Sequence, residues 1–329
     1  MSEYLQPDIN QNVQSGFSNK AVKSAIKMIG LNQDIKVIRD SKNILIQQLF
    51  DEGFEVTNVT GTRKISSKMM QQAIWRTANR MKPLDFGIHG TGRPASNELI
   101  VTEGVGTVMQ RGGYVRALRD KGGAFYNLLM YGDAMVQVGS DPDNNRSPIV
   151  FNPISNSNIY VDSYATGVRS GGLGRAAQQM CVIFSMSWGT FLEEYPEAGK
   201  TAGIGQIPRD TGLFKELERD YIQTYKLDDL IEVAHYYDIK SKNYTCFAGS
   251  QCTVLDEYSG DDYPFEMDGE AYIPVLQFIC MPSSAGFWNN GLGNMLYDLA
   301  YVSKQMLNMG VGHAEDNTYP YTLINVPAG

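Results

Sequence analysis

The stretch DLIEVAHYYDIKSKNYTCFAGSQCTVLDEYS, residues 229–259, constrains the fold more than any other part of the chain. Its β-branched and aromatic runs are separated by short polar turns at 240–244 and 248–251, the pattern of successive antiparallel hairpins. Strands joined this closely leave no room for crossover helices, which argues against a doubly wound nucleotide-binding fold. Further extended segments are AMVQVGS, PIVFNPI, NIYVDSY, the start of QQMCVIFSMSWGTFLEEYP, and AYIPVLQFICM. In the fourth of these Ser187 stands where an N-cap belongs, a short helix WGTFLEEY follows, and Pro196 ends it.

Helical periodicity dominates the first part of the chain. Helices are expected at 20–31 and 34–52, the second with Ile35, Ile38, Leu45, Ile46 and Leu49 on one broad face and Gly53 as its stop. A third is expected at 63–82, with Ile65, Met69, Met70, Ile74, Ala78 and Met81 as its apolar stripe and Pro83 closing it. Residues 86–108 read as a Gly- and Thr-rich loop. A helix broken at Gly122-Gly123 runs to Tyr131 and stops at Gly132, and a charged helix is expected at 210–227. The class is therefore mixed α+β, with a helical N-terminal region, a hairpin-rich body and a long amphipathic helix near the C-terminus. Three parts are expected: 1–109, 110–285 and 286–329.

The last part opens as GFWNNGLGNMLYDLAYVSKQMLNMG, residues 286–310. Between Gly291 and Gly310 the apolar residues Leu292, Met295, Leu296, Leu299, Val302, Met306 and Met309 recur at helical spacing. The opposite side carries Asn294, Tyr297, Asp298, Tyr301, Lys304 and Asn308. Such a helix spans about 30 Å and is followed by a polar loop. It either packs as an ordinary core helix or turns one face inward and the other to a neighbouring subunit. Leu292, Met295, Leu299, Val302, Lys304 and Met306 are the candidates for packing or subunit contact.

Motifs that carry chemistry are incomplete. The net charge of −8 argues against a protein that grips nucleic acid, because gripping needs clustered Lys and Arg. Gly199-Lys200-Thr201 ends like a phosphate loop, but Glu194 stands where the first glycine belongs, and a turn is the better account. RSGGLGR, 169–175, could cradle an anion, yet glycines in a loop explain it as well. DPDNNRS begins like a calcium loop, but Arg146 and Asn152 occupy the positions that need Gly and Glu. The acidic run DEYSGDDYPFEMDGE reads as a solvated hairpin tip. Cys181, Cys246, Cys252 and Cys280 lack zinc-ligand spacing and read as reduced thiols, with a Cys246–Cys252 disulfide as the lesser alternative. His89, His235 and His313 are scattered. A Cys246–His235 nucleophile pair is conceivable, although no orienting group is legible. No catalytic residue, cofactor or metal is assigned. No apolar run is long enough for a membrane span, and the polar first residues lack the apolar core of a secretory signal.

The order of elements carries the strongest signal. AFYNLLMYGDAMVQV, the extended VFNPISNSNIYVD, the strand and capped helix from Met180 to Pro196, the hairpins of 229–259, and the strand leading into the glycine-opened helix follow one another over roughly 110–310. This series resembles the N-terminal half of a tailed-bacteriophage portal protein, the ring that forms the DNA gateway of the capsid. Ser187 through Tyr195-Pro196 is similar to a phrase of the wing region. Glu232-Val233-Ala234-His235-Tyr236-Tyr237-Asp238 resembles the strand that follows it, and Gly293, Asp298, Gln305 and Asn308 match the glycine-opened helix. The resemblance implies a wing-like body at 110–285 and a region at 286–329 that leads toward a stem. Portal subunits carry stem, clip and often crown segments beyond it, so the chain is expected to be part of a longer one. It further implies a virion protein at the portal vertex, assembled in the bacterial cytoplasm as a dodecameric ring. The implied partners are the major capsid protein, the terminase motor, and head–tail adaptor or tail proteins, with double-stranded DNA passing without sequence recognition. Another adaptor or tail protein, or a Cys- or metal-dependent hydrolase, remains an alternative.

Overall fold

The computed structural model describes residues 18–52, 54–58, 61–65, 69–81, 104, 106–111, 113–119, 123–140, 149–169, 175–209, 229–267, 269–283 and 286–318. The architecture is α+β, with antiparallel sheets throughout. Helix α1 (Lys20–Glu52) leads to a hairpin of β1 (Phe54–Asn58) and β2 (Gly61–Ile65), then α2 (Met69–Arg80), α3 (Tyr114–Arg119) and α4 (Ala124–Tyr131). The strands β3 (Asp133–Ser140), β4 (Ile149–Ile154), β5 (Ile159–Val161) and β6 (Gln179–Ser187) follow, then α5 (Trp188–Glu194). Next come β7 (Leu230–Asp238), β8 (Asn243–Ala248), β9 (Thr253–Ser259), the short pair β10 (Glu266–Met267) and β11 (Glu270–Ala271), β12 (Val275–Ile279), and α6 (Leu292–Thr318).

The hairpin run forms the centre of a five-stranded sheet ordered β5-β6-β7-β8-β9. Alternation along these strands divides their side chains between two cores. Cys181, Ile183, Ala234, Tyr236 and Phe247 face the first turns of α1, where Val22, Ala25, Ile26 and Ile29 are fully buried. On the other face Val182 and Tyr237 meet Met135, Ile154, Val275 and Phe287. Those residues belong to or flank a second sheet, ordered β12-β3-β4. Its far side, Ala134, Val136 and Phe151, packs against Tyr114, Leu118, Phe125 and Leu128 of α3 and α4. Beneath α5, Trp188 and Phe191 cover Ile231, Val233 and Cys246. Ser187 caps α5, its hydroxyl accepting from the Thr190 amide at 3.2 Å.

The expected pair of helices at 20–31 and 34–52 is one continuous helix. Gly30 does not break it: a Cβ there would stand 3.0 Å from the Arg209 carbonyl, so glycine permits a close approach. Asn19 caps its start, accepting from the Ala21 and Val22 amides at 2.8 and 3.2 Å. Of the face expected to be apolar and inward, Ile46 is buried, but Ile35, Ile38 and Leu45 are exposed. The expected helix at 63–82 begins only at Met69, because residues 61–65 pair with β1. The β-branched Val56, Thr57 and Thr62 favour that hairpin. The stripe residues Met70 and Ile74 are buried as their spacing requires. Gly132 stops α4 in the left-handed conformation at φ 95°. The stops at Gly53 and Pro83, the loop at 86–108 (apart from helical residues 104 and 106–108), and the helix at 210–227 lie outside the described residues.

Candidate functional site

The start of α6 is fixed at a buried polar junction. Asp133, the first residue of β3, is fully buried. Its carboxylate accepts from the Asn289 amide at 2.6 Å, the Asn289 side-chain nitrogen at 2.7 Å and Gln277 Nε2 at 3.0 Å. Burial pushes the Asp133 carboxyl up, while the Asn289 and Gln277 hydrogen bonds and the charge of Arg39 act in the opposite direction. Three donors and no acceptor around one carboxyl are the arrangement that suits its ionised form. Asn156 donates to the Asp133 carbonyl at 2.9 Å. Arg39 of α1 stacks over Trp288 at 3.8 Å and donates to the Asn156 carbonyl at 2.8 Å. One node thus ties α1, β3, β12 and the loop before α6. The glycines and asparagines of that loop read as turn formers, and nothing in their spacing points to Asp133.

Two glycines then set how closely α6 crosses α4. A Cβ on Gly291 would stand 2.5 Å from the Gly132 amide nitrogen and 2.8 Å from the Leu129 carbonyl. A Cβ on Gly293 would overlap the Met130 carbonyl and stand 3.0 Å from Ile46 Cγ2. Backbone against backbone at this range admits only glycine. The close crossing lets Leu292, Leu296 and Tyr297 pack on a core of Ile46, Phe50, Met70, Ile74, Tyr126, Leu129 and Met130.

The face of α6 that turns inward differs from the one its apolar pattern selects. Tyr297 and Asn308, expected on the polar side, are partly covered. Met295, Leu299, Val302, Met306 and Met309 are 57%, 62%, 51%, 66% and 69% exposed. Of the six candidate residues, Leu292 packs inward, while Met295, Leu299, Val302 and Met306 form an outward stripe. Lys304 lies on the same helix, but its side chain is outside the described residues. The helix also runs further than expected, through Gly310 and Gly312 to Thr318. Neither glycine takes the left-handed conformation that ends a helix. Helix α1 adds a second exposed apolar set, Leu31, Ile35, Val37, Ile38, Ile44 and Leu45.

The possible nucleophile pair is brought together but not activated. His235 and Cys246 are direct cross-strand partners on β7 and β8. Burial pushes the Cys246 thiol up to about 12, with Asp256 adding to it, and burial lowers His235 to about 4. Both groups are therefore neutral near pH 7, the reverse of a thiolate–imidazolium pair. His235 Nδ1 lies 2.8 Å from the Tyr244 hydroxyl, and its ring packs edge-on to Phe184. Cys181, Cys246, Cys252 and Cys280 are all free thiols, so the Cys246–Cys252 disulfide is not formed.

Other sequence motifs are placed as follows. Residues Ala198–Lys200 form a 3-10 turn after α5, with no strand–loop–helix around Thr201. Asp256 and Glu257 lie exposed on β9, Asp261 and Asp262 in the turn beyond it, and Glu270 on β11. Lys242 and Glu266 pair at 2.6 Å. The DPDNNRS segment through Ser147 and the glycines of 170–174 lie outside the described residues, as does His89, while His313 is exposed on α6. No cluster of three or more His, Cys, Asp or Glu suited to a metal ion occurs among the described residues. Among them, no helix is long and apolar enough to cross a membrane. No model of a known family matches the chain, and no curated protein matches it.

Proposed function

We propose that this chain is a structural subunit of a portal ring, through which DNA is packaged into and released from a phage capsid. The observation that carries the reading is the outward stripe of α6, where Met295, Leu299, Val302 and Met306 stand more than half exposed on a helix anchored by its opposite face. Covering a side chain of this size gains about 1.5–3 kcal/mol relative to leaving it in water. A contiguous apolar strip of this kind favours a permanent neighbour over solvent. In a ring each subunit meets the next through two different surfaces, and cyclic closure satisfies every copy. The exposed apolar set on α1 offers a second surface of the same chemistry.

The remaining support comes from charge and from the order of elements. A net charge of −8 suits a conduit that must not hold the phosphates sliding through it. The element series of residues 110–310 resembles the wing and pre-stem part of portal subunits. On this reading the ring is dodecameric, sits at the portal vertex of the virion, and meets the capsid protein, the terminase motor and the adaptor or tail. Hydrolysis of ATP belongs to the motor. The test is a paired substitution, Leu299→Glu with Met306→Glu. It leaves the anchored face intact, so circular dichroism should not change, while the assembled species should be replaced by single subunits in analytical ultracentrifugation. Assembly that survives both charges removes the stripe from the account.

A further inference from the structure

The edge of a sheet carries unpaired main-chain N–H and C=O groups, and folded proteins blunt such edges with charge, proline or shortness. The two larger sheets have four edges, β5 and β9 in one and β12 and β4 in the other. Strand β9 carries the exposed Asp256 and Glu257, β4 contains Pro153, and β5 has only three residues. Strand β12 has the sequence VLQFI, with neither charge nor proline, over five residues.

The hydrogen-bond pattern shows which groups of β12 are open. The Val138 amide donates to the Pro274 carbonyl at 2.9 Å, and the Cys280 amide to the Gly132 carbonyl at 2.9 Å. In an antiparallel ladder the bonded pairs alternate, so Leu276 and Phe278 bond to β3 while Gln277 and Ile279 turn their N–H and C=O outward. The outer edge is closed on both sides of them. The Val275 amide folds back to the Ile273 carbonyl at 2.8 Å, and Met281 exchanges bonds with Asn290 at 3.2 and 3.1 Å. Between these closures the outward main-chain groups of Gln277 and Ile279 have no partner among the described residues. Beside this gap lies a cleft of about 240 Å³ between residues 166–169 and residues 275–279. Arg169 lines it, exposed, its guanidinium 5.5 Å from the Tyr272 ring and without a carboxylate partner among the described residues.

We propose that the open edge of β12 receives an extended segment of a partner protein by β-strand addition, with an Asp or Glu side chain of that segment directed to Arg169. Two edge residues supply four main-chain bonds, and the exposed apolar side chain of Ile279 offers a contact to a side chain of the incoming strand. Among the described residues lining the cleft the unpaired charge is that of Arg169, which is positive, so it selects an acidic strand over a basic one. This site is separate from the α6 stripe and does not depend on the ring reading.

The test uses the full chain and two acetylated eight-residue peptides that alternate valine and threonine, one with a central glutamate and one with a central lysine. The glutamate peptide should bind and slow hydrogen exchange at the Gln277 and Ile279 amides, leaving Leu276 and Phe278 as they were. Ile279→Pro removes one outward donor and should weaken binding about tenfold. Arg169→Glu, at an exposed position that leaves the fold intact, should weaken the glutamate peptide about tenfold and reverse the preference toward the lysine peptide. No binding of the glutamate peptide at millimolar concentration overturns the proposal, as does binding without protection of the two amides. Protection that rises with protein concentration in the absence of peptide also overturns it, in favour of edge pairing between two copies of this chain.

Discussion

Gly291 and Gly293 differ physically from Gly310 and Gly312, although all four are glycines of one sequence region. The first two sit where an added Cβ would overlap the backbone of α4, whereas nothing lies within 4 Å of the last two. Gly293→Ala should therefore destabilise the protein by about 3 kcal/mol, the scale of overpacking in a core. Gly310→Ala should instead stabilise it by up to about 1 kcal/mol, the helix-propensity difference. Urea unfolding of the two variants checks both signs. Asp133 makes a comparable case among polar residues. An amide at that position would present an NH₂ to donors that need acceptors, so Asp133→Asn should cost about 2–3 kcal/mol in the same measurement. His235 adds a pH dependence. Burial lowers it from 6.5 to about 4, so between those values the unfolded chain takes up a proton that the folded one does not. The stability it contributes is complete above about pH 6.5 and is lost as pH falls toward 4, by on the order of 3 kcal/mol. Replacing it in His235→Phe should flatten the stability profile across that window relative to the parent protein.

At the scale of elements, the strands were legible because their signals were local. Alternating β-branched and aromatic residues with polar turns marked β7, β8 and β9, Ser187 marked the start of α5, and Gly132 marked the end of α4. The β1–β2 hairpin was hidden because Ile65 continues the spacing of the α2 stripe, so periodicity alone could not separate the strand from the helix. The extent of α6 was missed for a related reason. Glycine ends a helix only when it takes the left-handed conformation, and that choice is made by tertiary context. Which face of α6 is buried was legible only at its start, where Leu292 and Leu296 of the apolar set pack inward. The apolar stripe predicts inward burial for a self-contained subunit, yet the close crossing at Gly291 and Gly293 rotates Leu296 and Tyr297 inward and Met295, Leu299 and Met306 outward. The Asp133 junction that enforces this joins residues far apart in the chain, and no spacing rule connects them. An element-scale consequence follows for solubility: Leu299→Lys should change the unfolding free energy by no more than about 0.5 kcal/mol, as for an exposed site, and should reduce binding of a hydrophobic dye by the purified subunit.

At the scale of the whole molecule, α1 is the strut. Its 33 residues reach about 50 Å, joining the five-stranded sheet at one end to the α2–α4–α6 cluster at the other. Between its two anchored ends, and along α6, apolar side chains face outward on the two longest helices among the described residues. A subunit built this way leaves apolar strips uncovered, and in the proposed ring repetition of one contact around an axis would cover them in every copy. The most direct test is the mass of the purified particle by native mass spectrometry, with its projection by electron microscopy. The account predicts a closed ring of identical subunits with a bore wide enough for duplex DNA. A particle that stays a single subunit at every concentration, with the α6 stripe still in water, would contradict it.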